Sequence, residues 1–274
     1  MELSKSERDD VILSVLKKIE SGDFSIAGRE KKELWEKGWS EMLEKFIESG
    51  YDLNVLTPQY DDKKASIIRK DGDYVKPEDP TEEMKWLDGY LDVLFTRWFK
   101  NNDSIYEFGS GTGRNLVKIA KIFPKKKLYG LEWVQSAVKI LDLLKEKHGF
   151  NIEGRLFDIF SPDEKLNIEP NSVVFTRATL EQTGKDWGKF LDFLLRKKPE
   201  SCIHIEPIIE LYNENDLVDY LAIKYHKKRN YLDGFLDKLY ELENQNKLEI
   251  LEVTRVKFGS MYLDPYSVIA WKPR

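Results

Sequence analysis

Residues 105–113 read IYEFGSGTG, and the fold turns on this stretch. The run 104–108 is apolar enough for a buried parallel strand, and beyond the glycines Leu116, Ile119, Ala120 and Phe123 recur at helical spacing. A strand, a tight turn and a helix therefore follow one another. Glu107 stands at the strand end and Gly109, Gly111 and Gly113 alternate through the turn, where glycine tolerates positive φ and lets the backbone approach a ligand closely. With Ser110 inside the turn and Asn115 opening the helix, these residues form a candidate cradle for a cofactor.

A dinucleotide fingerprint needs a third small residue at position 114, which is Arg114 here, so the pyrophosphate reading weakens. The run from Glu107 to Gly113 instead resembles the first motif of the class I S-adenosylmethionine (SAM) methyltransferases. The resemblance extends past that motif. A second strand, 128–131, ends on Glu132, where that superfamily places an acid on the ribose hydroxyls. A third, RLFDIF at 155–160, exits on Asp158, the position of a carboxylate for the adenine amino group. Trp133 and Ile159 would sandwich the base, and Thr176 closes the set at the end of the fourth strand. Read from the residues alone, a Trp after a strand also serves as core and an Asp at a strand end also caps a following element, so both alternatives stay open.

Four more strands follow, at 172–176, 202–206, 248–257 and 267–271. Helical segments joining the first five imply parallel pairing with right-handed crossovers, and the short link between the last two suits an antiparallel hairpin. The expected architecture is α/β: a Rossmann-like seven-stranded methyltransferase sheet with an antiparallel last strand, preceded by an N-terminal helical extension that includes a hairpin. Residues 101–274 form the SAM-binding domain in this reading, and 213–247 a helical insertion shaping the acceptor pocket.

Residues 1–100 are read as a cap region. Helices are expected at 6–20 and 29–48, the second with Trp35, Trp39, Met42 and Phe46 along one face, a packing stripe. Asp71-Gly72 inside 66–76 predicts a hairpin, since a type I′ turn needs positive φ at both positions. Asp79, Pro80 and Glu82 predict a capped helix running to about residue 99 that buries Trp86, Tyr90, Leu94 and Trp98.

The 274 residues suit one catalytic domain with an extension, and 41% apolar content supplies a large core. A formal charge of −5 disfavours a nucleic-acid partner, which calls for a basic face. The single Cys202 excludes a disulfide framework, and the absence of a long apolar run or leader-like N-terminus leads to the expectation of a cytoplasmic protein without membrane partners. A homodimer is left open.

For a hydroxyl acceptor a general base helps, and it must lie at the carboxyl ends of the strands. One cluster follows strand four: Arg177, Glu181 and Gln182. Only Asp186 joins them downstream, so no metal site is expected. A second lies in HIEP, where alternation sends His204 and Glu206 to one side of strand five. A third is His226 with Arg229 and Asn230, in the basic run 224–229. His204, Glu206, Glu181 and His226 are thus the candidate bases, and Arg177, Glu181, Arg229 and Asn230 the candidate acceptor ligands. The resulting expectation is methyl transfer from SAM to a small polar metabolite, as in O-methylation of a sugar, phosphorylated or glycan-precursor acceptor. Its rivals are a protein or RNA methyltransferase and a non-catalytic SAM-binding partner subunit.

Overall fold

The computed structural model describes residues 1–57 and 65–274. Local signals explain many of its boundaries. Ser4 and Glu7 form a reciprocal capping box that starts α1 (Lys5–Ser21), and Gly22 at φ 64° ends it. A short 3-10 turn (Arg29–Lys31) leads into α2 (Lys32–Glu48). The hairpin of β1 (Ile68–Lys70) and β2 (Asp73–Val75) turns on Asp71 and Gly72, at φ 54° and 90°. The next helix, α3 (Glu82–Phe99), starts differently from the expected box: Asp79 accepts from Thr81 N, while Glu82 reaches back to Glu78 N.

Seven strands then build the main sheet. They are β3 (Ser104–Phe108), β4 (Lys127–Glu132), β5 (Ile152–Leu156), β6 (Ser172–Arg177), β7 (Ser201–Glu206), β8 (Leu248–Thr254) and β10 (Ser267–Pro273). Their order is β5-β4-β3-β6-β7-β10-β8, with β10 antiparallel to both neighbours and the first five strands parallel. Helices α4 (Arg114–Ile122), α5 (Gln135–His148) and α6 (Gly188–Lys197) connect them, and α7 (Leu217–Lys228) and α8 (Phe235–Asn244) form the insertion before β8.

Three further details depart from the sequence reading. The third strand ends at Leu156, so Asp158 stands two residues beyond it instead of on it. No helix joins β5 to β6; the link runs through turns. An extra strand, β9 (Phe258–Ser260), lies in the link before β10 and pairs with β1. At three residues it is too short for alternation to reveal it.

The sheet is buried on both faces. Ile203 and Ile205 join one core with Ile105, Phe175 and α2's Trp39, Met42 and Phe46. Trp271, Tyr106 and Val174 face the other, under α6 and α8. The helices α2 and α3 therefore share the sheet's core, while α1 packs with α7 in a separate cluster. A charged tie reinforces the attachment: Arg69 of β1, fully buried, pairs with Asp219 of α7 and Asp264 before β10, and Arg255 bridges the same two carboxylates. Removing one member of such a network leaves uncompensated buried charge.

Among the described residues, no helix is long and apolar enough to cross a membrane, and no group of three or more His, Cys, Asp or Glu is placed to hold a metal ion.

Candidate functional site

Parallel strands present their carboxyl ends together, and here the ends of β3, β4 and β6 open into a cleft roofed by α2. It encloses about 870 Å³, part of it open to solvent. Gly109, Ser110, Gly111 and Asn115 come from the glycine turn, Glu132 and Trp133 from the end of β4, Ile159 and Phe160 from the loop after β5, and Arg177 and Gln182 from beyond β6.

The turn holds its shape through its own backbone. Gly109 N donates to Leu131 O at 2.7 Å and Gly113 N to Ser110 O at 2.9 Å. Gly111 sits at φ 51°, and the Trp39 ring lies 3.1 Å from where a Cβ would stand, so a side chain there would be strained and would press on the roof.

Two acids flank the turn. Glu132 is 5% exposed; its oxygens accept from Gly111 N at 3.0 Å and Trp133 N at 2.8 Å, and it lines the cleft. Glu107 is 1% exposed, with Oε1 bonded to Asn115 Nδ2 at 2.6 Å and Oε2 without a hydrogen-bond partner. Burial pushes Glu107 up to about 8 and Glu132 up to about 7. Ser110 Oγ is likewise buried without a partner. Polar atoms of this kind are expected to meet a ligand or water.

Aromatic rings form the walls. Trp133 and Phe160 lie 5.6 Å apart between centroids, and Arg29 stacks over Phe160 at 5.0 Å while pairing with Asp186 at 3.6 Å. Above the turn Trp35 and Trp39 stack at 5.6 Å. Glu36, between them, accepts from Gln135 N and Ser136 N and so caps α5 from a different helix. Val134 at the cap position of α5 has no side-chain acceptor. That gap is the one sequence signal that a distant residue would supply the cap.

Several predicted residues lie elsewhere. His204 is fully buried in the sheet, with Nδ1 3.0 Å from Thr176 Oγ1 and Nε2 accepting from Trp271 Nε1 at 3.0 Å; burial holds it down to about 3. Both nitrogens are engaged and neither reaches the cleft. Thr176 is drawn into the same contact. Glu206 accepts from the backbone N–H groups of Thr179, Leu180 and Glu181, pinning the loop after β6. Burial and the nearby Glu181 nonetheless raise it to about 7. His226 is buried in α7, its Nε2 bonded to Leu232 O at 2.5 Å and its proton affinity lowered by burial to about 4. These three side chains are therefore placed as structure, not as bases over the cleft.

Arg229 lies among the rings of Phe24, Tyr225 and Tyr231 and donates to Tyr225 Oη at 3.0 Å; Asn230 donates to Ala27 O at 3.0 Å. Both fasten the N-terminal segment to the insertion. Asp158 accepts from Phe160 N at 2.9 Å, shaping the turn that carries Ile159 and Phe160 without itself lining the cleft. Glu181 remains beside the cleft, its carboxylate 2.8 Å from Gln182 Nε2. Trp35 and Trp39, expected as a packing stripe, do pack, Trp39 in the core and Trp35 against it, and they also line the cleft, as do Arg114 and Phe160, which sequence reasoning missed.

No family model matches the chain. It is 34% identical over 110 residues to a tRNA (guanine-N(7)-)-methyltransferase of Buchnera aphidicola subsp. Schizaphis graminum, covering 36% of this chain. The match spans 46% of that relative's length, about half. Among solved structures, the chain is similar to geranyl diphosphate C-methyltransferase from Streptomyces coelicolor A3(2), with a TM-score of 0.51, 9% identity and 69% and 80% of the two chains covered. It is similar also to the mitomycin 7-O-methyltransferase MmcR, with a TM-score of 0.50, 15% identity and 71% and 56% covered.

Proposed function

We propose that this chain, which has the fold of the class I SAM-dependent methyltransferases, transfers a methyl group from SAM to a small polar metabolite. The observation that carries the reading is the glycine turn flanked by two buried acids, with polar atoms of Glu107 and Ser110 left unbonded by the protein. Those residues fit the cofactor. Glu132 is assigned to the ribose hydroxyls, Trp133, Ile159 and Phe160 to the base, and the turn backbone with Glu107 to the amino-acid end.

When bound, SAM supplies an electrophilic methyl on a sulfonium. The protein's contribution is to align donor and acceptor and to exclude water, and alignment by itself lowers a barrier substantially. The tryptophan roof of α2 and the Arg29 contact over Phe160 enclose the reactants on one side. Arg177 and Gln182 face the acceptor, and Glu181, beside Gln182, is the carboxylate placed to take its proton. His204, Glu206 and His226 have no part in this reading.

A second reading, methylation of RNA, is favoured by the match to the tRNA methyltransferase. The −5 formal charge weighs against it, because phosphate backbones are held by basic surfaces. Incubating the protein with methyl-labelled SAM and cell extract, then separating metabolites, protein and RNA, tests both. Label in the small-molecule fraction is the expected result. Label in RNA alone overturns the metabolite assignment, and label in no fraction favours a non-catalytic SAM-binding subunit.

A further inference from the structure

We infer that Arg29 and Glu36, neither of which lines the cleft, are positioning residues for the cofactor's base: the N-terminal segment holds the Trp133–Phe160 wall in place from outside the cleft and so sets the affinity for the base. The inference rests on the reading of the cleft as a SAM site and concerns which part of the chain governs its base end.

The wall is one aromatic corner made from two loops. Trp133 follows β4 and Phe160 lies in the turn after β5, and their rings meet at 5.6 Å between centroids with 44° between planes. Each half is fastened to the N-terminal segment by its own contact. Just past Trp133 the chain enters α5, and Glu36 takes the first turn of that helix: Oε2 accepts from Gln135 N at 2.8 Å, Oε1 from Ser136 N at 3.2 Å, and the backbone oxygen from Ser136 Oγ at 3.3 Å. Arg29 takes the other half. Its guanidinium lies 5.0 Å from the Phe160 ring centre, donates from Nη2 to Phe160 O at 3.4 Å, and pairs through Nε with Asp186 at 3.6 Å.

The N-terminal segment is itself fixed where it makes these contacts, so it can serve as a template. Ala27 N donates to Arg229 O at 2.8 Å and Asn230 Nδ2 to Ala27 O at 3.0 Å, tying the chain to the insertion just before Arg29. Gly28, at φ 148°, then turns the backbone into Arg29. Trp39, about one helical turn beyond Glu36, is buried in the sheet's core. The loops that carry the wall have less of their own: Val134 offers α5 no side-chain cap, and within its turn Phe160 is held by its N–H bond to Asp158. A ligand that needs the wall in place binds with an affinity scaled by the fraction of molecules in which the wall is in place. Loosening either fastening lowers that fraction without touching a ligand atom.

Isothermal titration calorimetry of the full-length protein with S-adenosylhomocysteine and with adenosine reads the base end, because both ligands carry the base and the first alone carries the amino-acid end. Arg29→Ala should weaken both by the same factor, about two- to fivefold, the size of a part-exposed cation–π contact. Arg29→Lys, which keeps a charge for Asp186 but loses the planar stacking, should not recover that loss, and Asp186→Asn should leave both affinities within about twofold of the unaltered protein. Glu36→Ala should weaken both ligands by up to about fivefold, the equivalent of a lost helix cap, and Glu36→Gln, with one acceptor oxygen left, should restore most of it. Arg29 is half exposed, so its variants carry the test if Glu36→Ala fails to fold. Unchanged affinities in folded Arg29→Ala and Glu36→Ala, or losses for S-adenosylhomocysteine that adenosine does not share, would overturn the inference and leave the SAM reading standing. Full recovery in Arg29→Lys would place the role of Arg29 in its ion pair with Asp186 and overturn its part in the wall. Absence of saturable S-adenosylhomocysteine binding to the unaltered protein would remove the SAM reading and this inference with it.

Discussion

The carboxyl ends of β4 and β7 carry the same chemistry in the same position, a buried glutamate at the end of a central parallel strand, and use it in opposite ways. Glu132 accepts one backbone N–H on each oxygen and keeps its remaining capacity toward the cleft. Glu206 accepts three backbone N–H groups from the loop after β6 and holds no place in the cleft wall. A strand end therefore nominates a residue for function without deciding it. The decision comes from where the carboxylate's lone pairs go.

The sharpest way to break the comparison is Glu206→Ala. Three backbone donors, one buried and two part-buried, lose their acceptor together, at about 1 kcal/mol each, so the variant should lose about 3 kcal/mol of stability in urea denaturation. Glu206→Gln, which keeps one acceptor oxygen, should lose less. A variant with unchanged stability and abolished turnover would make the β7 acid catalytic and reverse the contrast.

Glu132→Ala tests the other side. Hydrogen bonds to a charged partner contribute about 1.5–3 kcal/mol, so SAM affinity should fall roughly ten- to a hundredfold by calorimetry. Unchanged affinity in a folded variant would remove Glu132 from the cofactor site. Because Glu132 also binds Gly111 N and Trp133 N, some loss of stability accompanies the change.

Much of this was legible in the chain. The alternating glycines with Glu107 and Glu132 placed the cleft because a tight turn at a strand end leaves few alternatives for the backbone. The residues misread are those whose roles depend on distant partners. His204 and Glu206 share a strand face as alternation requires, yet nothing local says that Trp271, 67 residues away, occupies one ring nitrogen, or that the loop after β6 consumes the carboxylate. Trp35 and Trp39 pack as their helical spacing implies, but that spacing does not tell that the same rings also line the cleft. The sequence places the third strand too late because RLFDIF is apolar beyond the point where pairing with β4 ends.

His204 offers a smaller effect with a clear sign. Held down to about 3 in the fold against an ordinary 6.5, it binds a proton in the unfolded chain first, so it contributes stability above pH 6.5 that is lost as pH falls toward 3. His204→Gln should flatten that acid-side loss by up to about 1.4 kcal/mol per pH unit, read from denaturation between pH 4 and 6.5. The pH dependence of kcat/KM should keep its shape. Disappearance of a rate limb near the ordinary histidine range would return His204 to the reaction.

The smallest expected effect belongs to Asp158, whose position beyond β5 would suit an adenine ligand but whose carboxylate bonds Phe160 N instead. Its influence on the cofactor then passes through the turn that presents Ile159 and Phe160, the latter held also by Arg29 stacking. Loss of one ordinary hydrogen bond costs about 1 kcal/mol, so Asp158→Ala should weaken SAM only several-fold, well short of Glu132→Ala. Adenosine should be weakened by the same factor as SAM, since both use the base wall, while a methionine fragment should be unaffected. A loss from Asp158→Ala that exceeds the one from Glu132→Ala would mean that the carboxylate turns to the base when the cofactor binds, giving up its bond to Phe160 N.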